Sequence, residues 1–173
     1  MLYRRFGKTE EMVANLGFGC MRLPTVDGKE ENIDEKLAAR MVHAAIDLGV
    51  NYFDTAYPYH KGMSEPFLGK ALEGGYRDKV FLATKLPSWE VQNREDCEKI
   101  LTEQLERLRT DRIDFYLLHA LKKDWWENLR QLGALDFLDQ AIKDGRIRYA
   151  GFSFHDEGEQ FKTIIDGYDW SFC

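Results

Sequence analysis

The chain has 173 residues, of which 44% are hydrophobic, enough for one domain with a sizeable core, and no Pro/Gly/Ser-rich stretch divides it. Its 24 Lys and Arg against 30 Asp and Glu give a formal net charge of -6, too acidic for general attraction to a phosphate backbone, so nucleic acid is not an expected partner. No run approaches the roughly 18 consecutive apolar residues of a membrane span, and Met1-Leu2-Tyr3-Arg4-Arg5 lacks a secretory apolar core. No membrane association and a cytoplasmic location are therefore expected. Cys20, Cys97 and Cys173 are scattered and odd in number, which predicts neither a disulfide framework nor a metal site.

After a short polar start, Val13 to Cys20 is an apolar, glycine-punctuated stretch that predicts a strand, and a loop follows at Pro24 to Gly28. Leu37, Met41, Ala44, Ala45 and Leu48 recur at the spacing of one helical face, with Gly49 as a stop, so this stripe is predicted to pack on the core. Val50 to Asp54 reads as a short strand, Ser64 to Leu72 as a helix, and Val80 to Thr84 as a buried strand. Cys97, Ile100, Leu101, Leu105 and Leu108 line one face of a helix that Asn93 can cap. Ile113 to Leu118 predicts a strand, Leu129 to Lys143 a helix and Ile147 to Phe152 a strand. Phe161, Ile164 and Ile165 mark a further helix. Five strands alternating with five helices favour a parallel sheet, since each helix returns the chain to the same strand direction. Periodicity alone does not separate an open doubly wound sheet from a barrel.

The polar residues at strand ends carry more information. Asp54 ends the second strand, Lys85 the third, His119 the fourth and Ser153 the fifth, all on the C-terminal side. In a parallel α/β barrel this is the rim where active sites gather. Singly, Asp54 could cap a turn, Lys85 could be solvated and His119 could be a satisfied core histidine. Four such groups in register are not explained that way.

Phe53-Asp54-Thr55-Ala56, followed by Tyr59 and Ser64-Glu65, resembles the strand-two signature of the aldo-keto reductases. Ala83-Thr84-Lys85 and Asp114-Phe115-Tyr116-Leu117-Leu118-His119 resemble the next two signatures. Leu16-Gly17-Phe18-Gly19 and Gly151-Phe152-Ser153 complete a resemblance that spans essentially the whole chain in the family's order. Pro58-Tyr59-His60, Leu118-His119-Ala120 and Gly151-Phe152-Ser153-Phe154-His155 look most like a branch often followed by a ferredoxin-like iron-sulfur tail. No cysteine here has cluster-ligand spacing.

The resemblance implies a parallel (β/α)8 TIM barrel, with residues 1–173 as the N-terminal part of a single barrel domain and only the first five strand-helix units present. It implies reduction of aldehydes or ketones by hydride transfer from NADPH, with NADH as the alternative, and a small carbonyl compound as substrate. Asp54, Tyr59, Lys85 and His119 take the catalytic positions. The chemistry suits them: carbonyl reduction needs a proton at oxygen, and a phenol with a reference pKa of about 10 holds one at neutral pH but donates it poorly without help. A lysine cation favours the phenolate, a carboxylate keeps that ammonium charged and oriented, and a histidine can hydrogen-bond the carbonyl oxygen. Tyr57 competes with Tyr59; the family's five-residue spacing after the aspartate selects Tyr59.

On the same resemblance, Gly19, Cys20, Met21 and Arg22 form the loop beside the cofactor, to which Asp54 also belongs, and Ser153 holds the nicotinamide carboxamide. Many members follow that serine with asparagine; here Phe154 follows, with His155 as a weaker substitute or an ordinary surface histidine. Trp125 and Trp126 wall a carbonyl pocket or pack under the following helix. Glu65 is expected to hydrogen-bond nearby backbone donors, and Lys122-Lys123-Asp124 to be a solvated charge run. A complete barrel has eight units, so a truncation, a split protein or part of a longer sequence is expected, with self-association or a complementary C-terminal segment as partner. The alternative is a noncatalytic cofactor-sensing or assembly subunit built on an incomplete barrel.

Overall fold

A computed structural model describes all 173 residues. Strands β1 (Tyr3–Arg5) and β2 (Met12–Ala14) form an antiparallel hairpin. Strands β3 (Phe18–Gly19), β4 (Tyr52–Asp54), β5 (Phe81–Leu86), β6 (Ile113–Leu121) and β7 (Ile147–Phe154) then form one five-stranded sheet in sequential order, with every neighbouring pair parallel. The connections contain α1 (Glu35–Asp47), α2 (Ser64–Ala71), α3 (Arg94–Arg107), and the successive helices α4 (Lys123–Gln131) and α5 (Ala134–Lys143). Helix α6 (Gly158–Ile165) follows β7. These are the first five strand-helix units of a (β/α)8 arrangement. A sixth strand begins beside β7, where Phe172 bridges Gly151 in parallel and Ser171 N–H donates to the Ala150 carbonyl at 3.0 Å.

Alternation along the strands separates two layers. Phe53, Leu82, Leu86, Tyr116, Leu118 and Phe152 point to the helices and share one core with Val42, Leu68, Leu101, Phe137 and Ile164. Ala83, Phe115 and Leu117 point the other way, into a smaller cluster with Val13 and Phe172 that Tyr52, Phe81 and Tyr149 flank. Phe6, from the turn of the hairpin, closes this inner layer. Its ring centroid lies 5.0 Å from Phe115, 5.2 Å from Tyr52 and 5.3 Å from Phe172.

Four expectations change. The single strand predicted over Val13 to Cys20 is split, because its first part pairs with β1 and only Phe18–Gly19 joins the parallel sheet. Helix α1 turns its other side inward: Ala38, Val42 and Ile46 are buried, whereas Leu37, Met41 and Leu48 of the predicted stripe are exposed. The helix carries two apolar stripes at the same spacing, and the one made by Ala38, Val42 and Ile46 is the one buried in the core. The helix predicted from Leu129 is two, broken where Gly133 adopts φ 75°, and the first begins at Lys123 within the charge run. Glu65 is fully buried and bonds side chains rather than backbone donors. The capping by Asn93 is as expected, with Asp96 completing a reciprocal capping box.

Helix α2 crosses the end of α3 at Gly69. A Cβ there would lie 2.6 Å from the Arg107 carbonyl oxygen and 2.6 Å from the Leu108 carbonyl carbon, and neither backbone atom can move aside cheaply. Gly69→Ala is therefore expected to destabilise the protein by about 1–3 kcal/mol, the range for overpacking, despite alanine's better helix propensity. Denaturant unfolding measures this; an unchanged or raised midpoint would contradict the close crossing.

Candidate active site

The period-two alternation that buries the inner aromatic layer also carries polar groups to its upper end. Asp54 stands two residues above Tyr52, Lys85 two above Ala83, and Ser153 two above Gly151. Parallel pairing sets Asp54 opposite Ala83, which brings β4 and β5 into the register the ion pair needs.

Lys85 is 5% exposed, and its Nζ donates to Asp54 Oδ1 at 2.6 Å and to the Thr55 carbonyl at 2.7 Å. Burial pushes the Asp54 carboxyl above its usual range, and the Lys85 ammonium offsets part of that rise. The Thr55 hydroxyl is 2.9 Å from Ser64 Oγ, and Ser64 donates onward to the Cys20 carbonyl at 3.1 Å. Behind the sheet, Gln104 Nε2 donates to the Lys85 carbonyl at 3.0 Å and to Glu65 Oε1 at 2.8 Å. Thr84 donates to the same Glu65 oxygen at 2.6 Å.

Tyr59 opens a short 3-10 turn that runs to Gly62, and its N–H donates to the Ala56 carbonyl at 3.1 Å. Lys85 Nζ lies 5.0 Å from the Tyr59 ring centroid. Tyr57 faces elsewhere: its hydroxyl donates to Glu103 at 3.0 Å and its ring lies under Arg107, 4.3 Å from the guanidinium carbon.

His119 reaches the same rim by a different device. The β6–β7 register shifts between Leu118 and Leu121, and Ala120 adopts φ 54°, so the strand bulges at the histidine. Ala120 N–H donates to Ser153 Oγ at 2.7 Å, and Ser88 Oγ donates to the His119 carbonyl at 2.8 Å, which fixes the bulge from β7 on one side and from the loop after β5 on the other. The His119 and Tyr59 rings meet edge-on, with centroids 6.1 Å apart and an interplanar angle of 81°. Burial lowers the His119 pKa to about 4, with the Lys85 and His155 charges acting in the same direction. Its Nδ1 is buried and has no hydrogen-bond partner.

The residues expected near a cofactor divide by exposure. Gly19, Met21, Arg22 and His155 are exposed at the same end of the sheet, and a Cβ added to Gly19 would meet nothing within 4 Å. The Cys20 side chain is fully buried in the core, where burial pushes its thiol up and keeps it protonated, so this residue offers the rim only its backbone. Ser153 accepts from Ala120 and keeps its own proton free to donate. Trp126 is buried, while Trp125 is partly buried and lies tilted against Trp89, with ring centroids 5.6 Å apart.

Trp89, Ser88, Gln104 and His60 were not foreseen. Trp89 is more than a third exposed and lies 5.1 Å from the His119 ring, so it borders the open side of the rim. Its position four residues after Lys85 was the available signal. Gln104 lies on the helical face that Cys97, Ile100, Leu101 and Leu108 define, where a lone polar residue could have been noticed. His60 stands in the Pro58-Tyr59-His60 triplet, but nothing in that triplet assigned it a role.

The chain matches the aldo/keto reductase family profile over residues 15–172, and it belongs to that family. It is 40% identical over 129 residues to the aldo-keto reductase YhdN of Bacillus subtilis, covering 69% of this chain and 38% of that protein. It is 29% identical over 163 residues to the uncharacterized oxidoreductase YqkF of the same organism, covering 88% and 49%. The holo structure of the aldo-keto reductase AKR11C1 from Bacillus halodurans superimposes with a TM-score of 0.81 at 30% identity, covering 98% of this chain and 55% of that one. The chain thus spans about half the length of the relatives it matches.

Because burial and two neighbouring positive charges disfavour the imidazolium, His119 is expected to titrate near 4 rather than 6.5 and to be neutral throughout the range above pH 5. An NMR titration of its ring protons checks this, and a midpoint near the ordinary histidine value would refute it. A depressed folded-state pKa also has a sign for stability: as pH falls from 6.5 toward 4 the unfolded chain takes up this proton and the folded one does not, so stability declines across that window.

Proposed function

We propose that the full-length protein reduces small aldehydes or ketones with NADPH, with Tyr59 as proton donor. The observation that carries this is the buried Lys85 ammonium paired with the partly buried Asp54 at 2.6 Å and lying 5.0 Å from the Tyr59 ring, beside a His119 that burial keeps neutral. Among the relatives, an aldo/keto reductase from Klebsiella pneumoniae has been solved in complex with NADP and acetate, with a TM-score of 0.72, 27% identity, and coverage of 92% of this chain and 52% of that one.

The residues present fit a nicotinamide at the rim. The free Ser153 proton would donate to its carboxamide, the open face above Gly19 would leave room, and Met21 and Arg22 would line the adjacent loop. When bound, the reduced nicotinamide supplies the hydride. The carbonyl oxygen is then held by the neutral His119 as a hydrogen-bond donor and by the Tyr59 hydroxyl, and the Tyr59 proton passes to that oxygen as negative charge develops. Lys85 favours the resulting phenolate, and Asp54 fixes the ammonium in place. Trp89 and Trp125 form an aromatic wall on the side where a substrate enters.

Tyr59→Phe in the full-length protein is expected to lower carbonyl reduction at least ~100-fold, the usual lower range for losing a positioned general acid, while NADPH binding changes little. Tyr57→Phe is expected to keep most of the activity, since that hydroxyl is bonded to Glu103. A carbonyl panel with NADPH oxidation as readout decides between them, and the reverse pattern would move the acid to Tyr57.

Residues 1–173 expressed alone are expected to self-associate or to need a complementary C-terminal segment. Strand β3 has no second neighbour in the sheet, and an apolar cleft of about 270 Å³ lined by Phe6, Ile165, Trp170 and Phe172 opens beside the nascent sixth strand. Light scattering on the isolated chain tests this, and a monodisperse monomer that folds cooperatively would count against it.

A further inference from the structure

His60 follows Tyr59 directly and is 2% exposed, yet it takes no part in the chemistry above. It adopts φ 53°, ψ 40°, and Lys61 after it adopts φ 52°, ψ 38°. Two consecutive residues with side chains in the left-handed region are costly and persist only where their surroundings hold them. A glycine would relieve the strain at either position.

Both ring nitrogens of His60 are engaged, and both partners lie on the connection between β3 and α1. Leu23 N–H donates to Nε2 at 3.0 Å, and Nδ1 lies 2.7 Å from the Glu30 carbonyl oxygen. An amide N–H needs a lone pair and a carbonyl needs a proton, so these partners define a neutral ring with its proton on Nδ1. The connection is also closed on itself: Val26 N–H donates to the Asn32 carbonyl at 2.7 Å and Asp34 N–H to the Pro24 carbonyl at 2.8 Å. An exposed Lys61–Glu31 pair at 2.9 Å joins the same two segments from outside. One imidazole thereby grips a folded loop near both of its ends, and the first grip point immediately follows Met21 and Arg22.

We propose that His60 is a positioning residue that clips the Met21–Arg22 segment to the Tyr59 loop, so that the cofactor-facing segment and the proton donor keep one fixed relation. This rests on the reductase reading above. The clip is bidentate and acts through a rigid ring on a strained backbone, so it transmits little slack between the two loops. Losing it frees the segment beside the cofactor while leaving the Asp54–Lys85 pair, which β4 and β5 hold independently.

His60→Phe removes both bonds at similar volume. His60→Asn tolerates the left-handed backbone and keeps an amide N–H able to reach the Glu30 carbonyl, so it restores one of the two. In the full-length protein, His60→Phe is expected to raise the KM and the dissociation constant for NADPH about tenfold, roughly the effect of two lost hydrogen bonds, with a smaller change in kcat, and His60→Asn to fall between it and the wild type. Limited trypsin cleavage after Arg22 and Lys29 should speed up in the same order, and this readout does not depend on turnover. Unchanged cleavage and cofactor affinity in folded His60→Phe would overturn the clip, as would a loss of thermal stability with wild-type kinetics. If His60→Phe fails to fold, a His60→Asn protein indistinguishable from wild type in both readouts would overturn it equally. If the wild type binds no NADPH, the reductase reading fails, and the cleavage order still decides whether His60 holds the loop.

Discussion

The fold around the candidate site depends on a buried ammonium. Lys85 is almost entirely removed from water, and a lone cation in that position would be prohibitive. Both of its hydrogen-bond partners come from the end of β4 and the residue after it: the Asp54 carboxylate and the Thr55 carbonyl. That requirement links two strands through their registers, because a one-residue slip of either would turn Asp54 or Lys85 toward the helices. Removing one partner of such a pair costs about 3–5 kcal/mol, chiefly through the charge left behind.

The same lysine is supported from the opposite face of the sheet. Glu65 of α2 accepts from Thr84 of β5 and from Gln104 of α3, and Arg107 of α3 lies 3.3 Å from its second oxygen. Burial pushes the Glu65 carboxyl up, while these donors pull it back toward the charged form. The Gln104 carbonyl accepts from the Tyr116 hydroxyl at 2.7 Å, so the amide is used on both sides and its orientation is determined. Two helices and one strand thus converge on one carboxylate behind Lys85, and β6 is tied to it through Gln104. Gly69, one helical turn beyond Glu65, allows the α2–α3 approach on which that convergence relies.

Much of this was legible in the sequence, and what was missed has identifiable causes. The strand ends at Asp54, Lys85 and Ser153 could be placed because short β-prone runs with turn signals on either side allow little freedom of register. The inward face of α1 differs from the expected one because Leu37, Met41 and Leu48 recur at the same helical spacing as Ala38, Val42 and Ile46, so periodicity weighted by side-chain size favours the wrong one of two stripes. The bulge at Ala120 is invisible to periodicity, since an alanine at φ 54° carries no turn signature. The buried role of Glu65 depended on Gln104, 39 residues away, and such a pairing exists only once α2 and α3 are packed. The two grips of His60 lie 37 and 30 residues back in the chain, and long-range side-chain-to-backbone bonds of that kind leave no local pattern.

The charge on Lys85 acts in two directions at once. It offsets the burial penalty of Asp54, and it joins burial in lowering the pKa of His119. The rim therefore holds one compensated ion pair and a neutral imidazole, in place of two cations competing for one carboxylate. A neutral ring can donate a hydrogen bond to an oxygen without contributing an acidic proton of its own, which leaves Tyr59 as the group beside the ammonium from which a proton can be drawn. In the proposed carbonyl reduction this would separate the two tasks: the imidazole would orient the oxygen, and the phenol, with Lys85 5.0 Å from its ring, would supply the proton. A protonated His119 would blur that division and would set a second positive charge near Lys85, so in the proposed reaction the burial of its ring would belong to the acid–base arrangement.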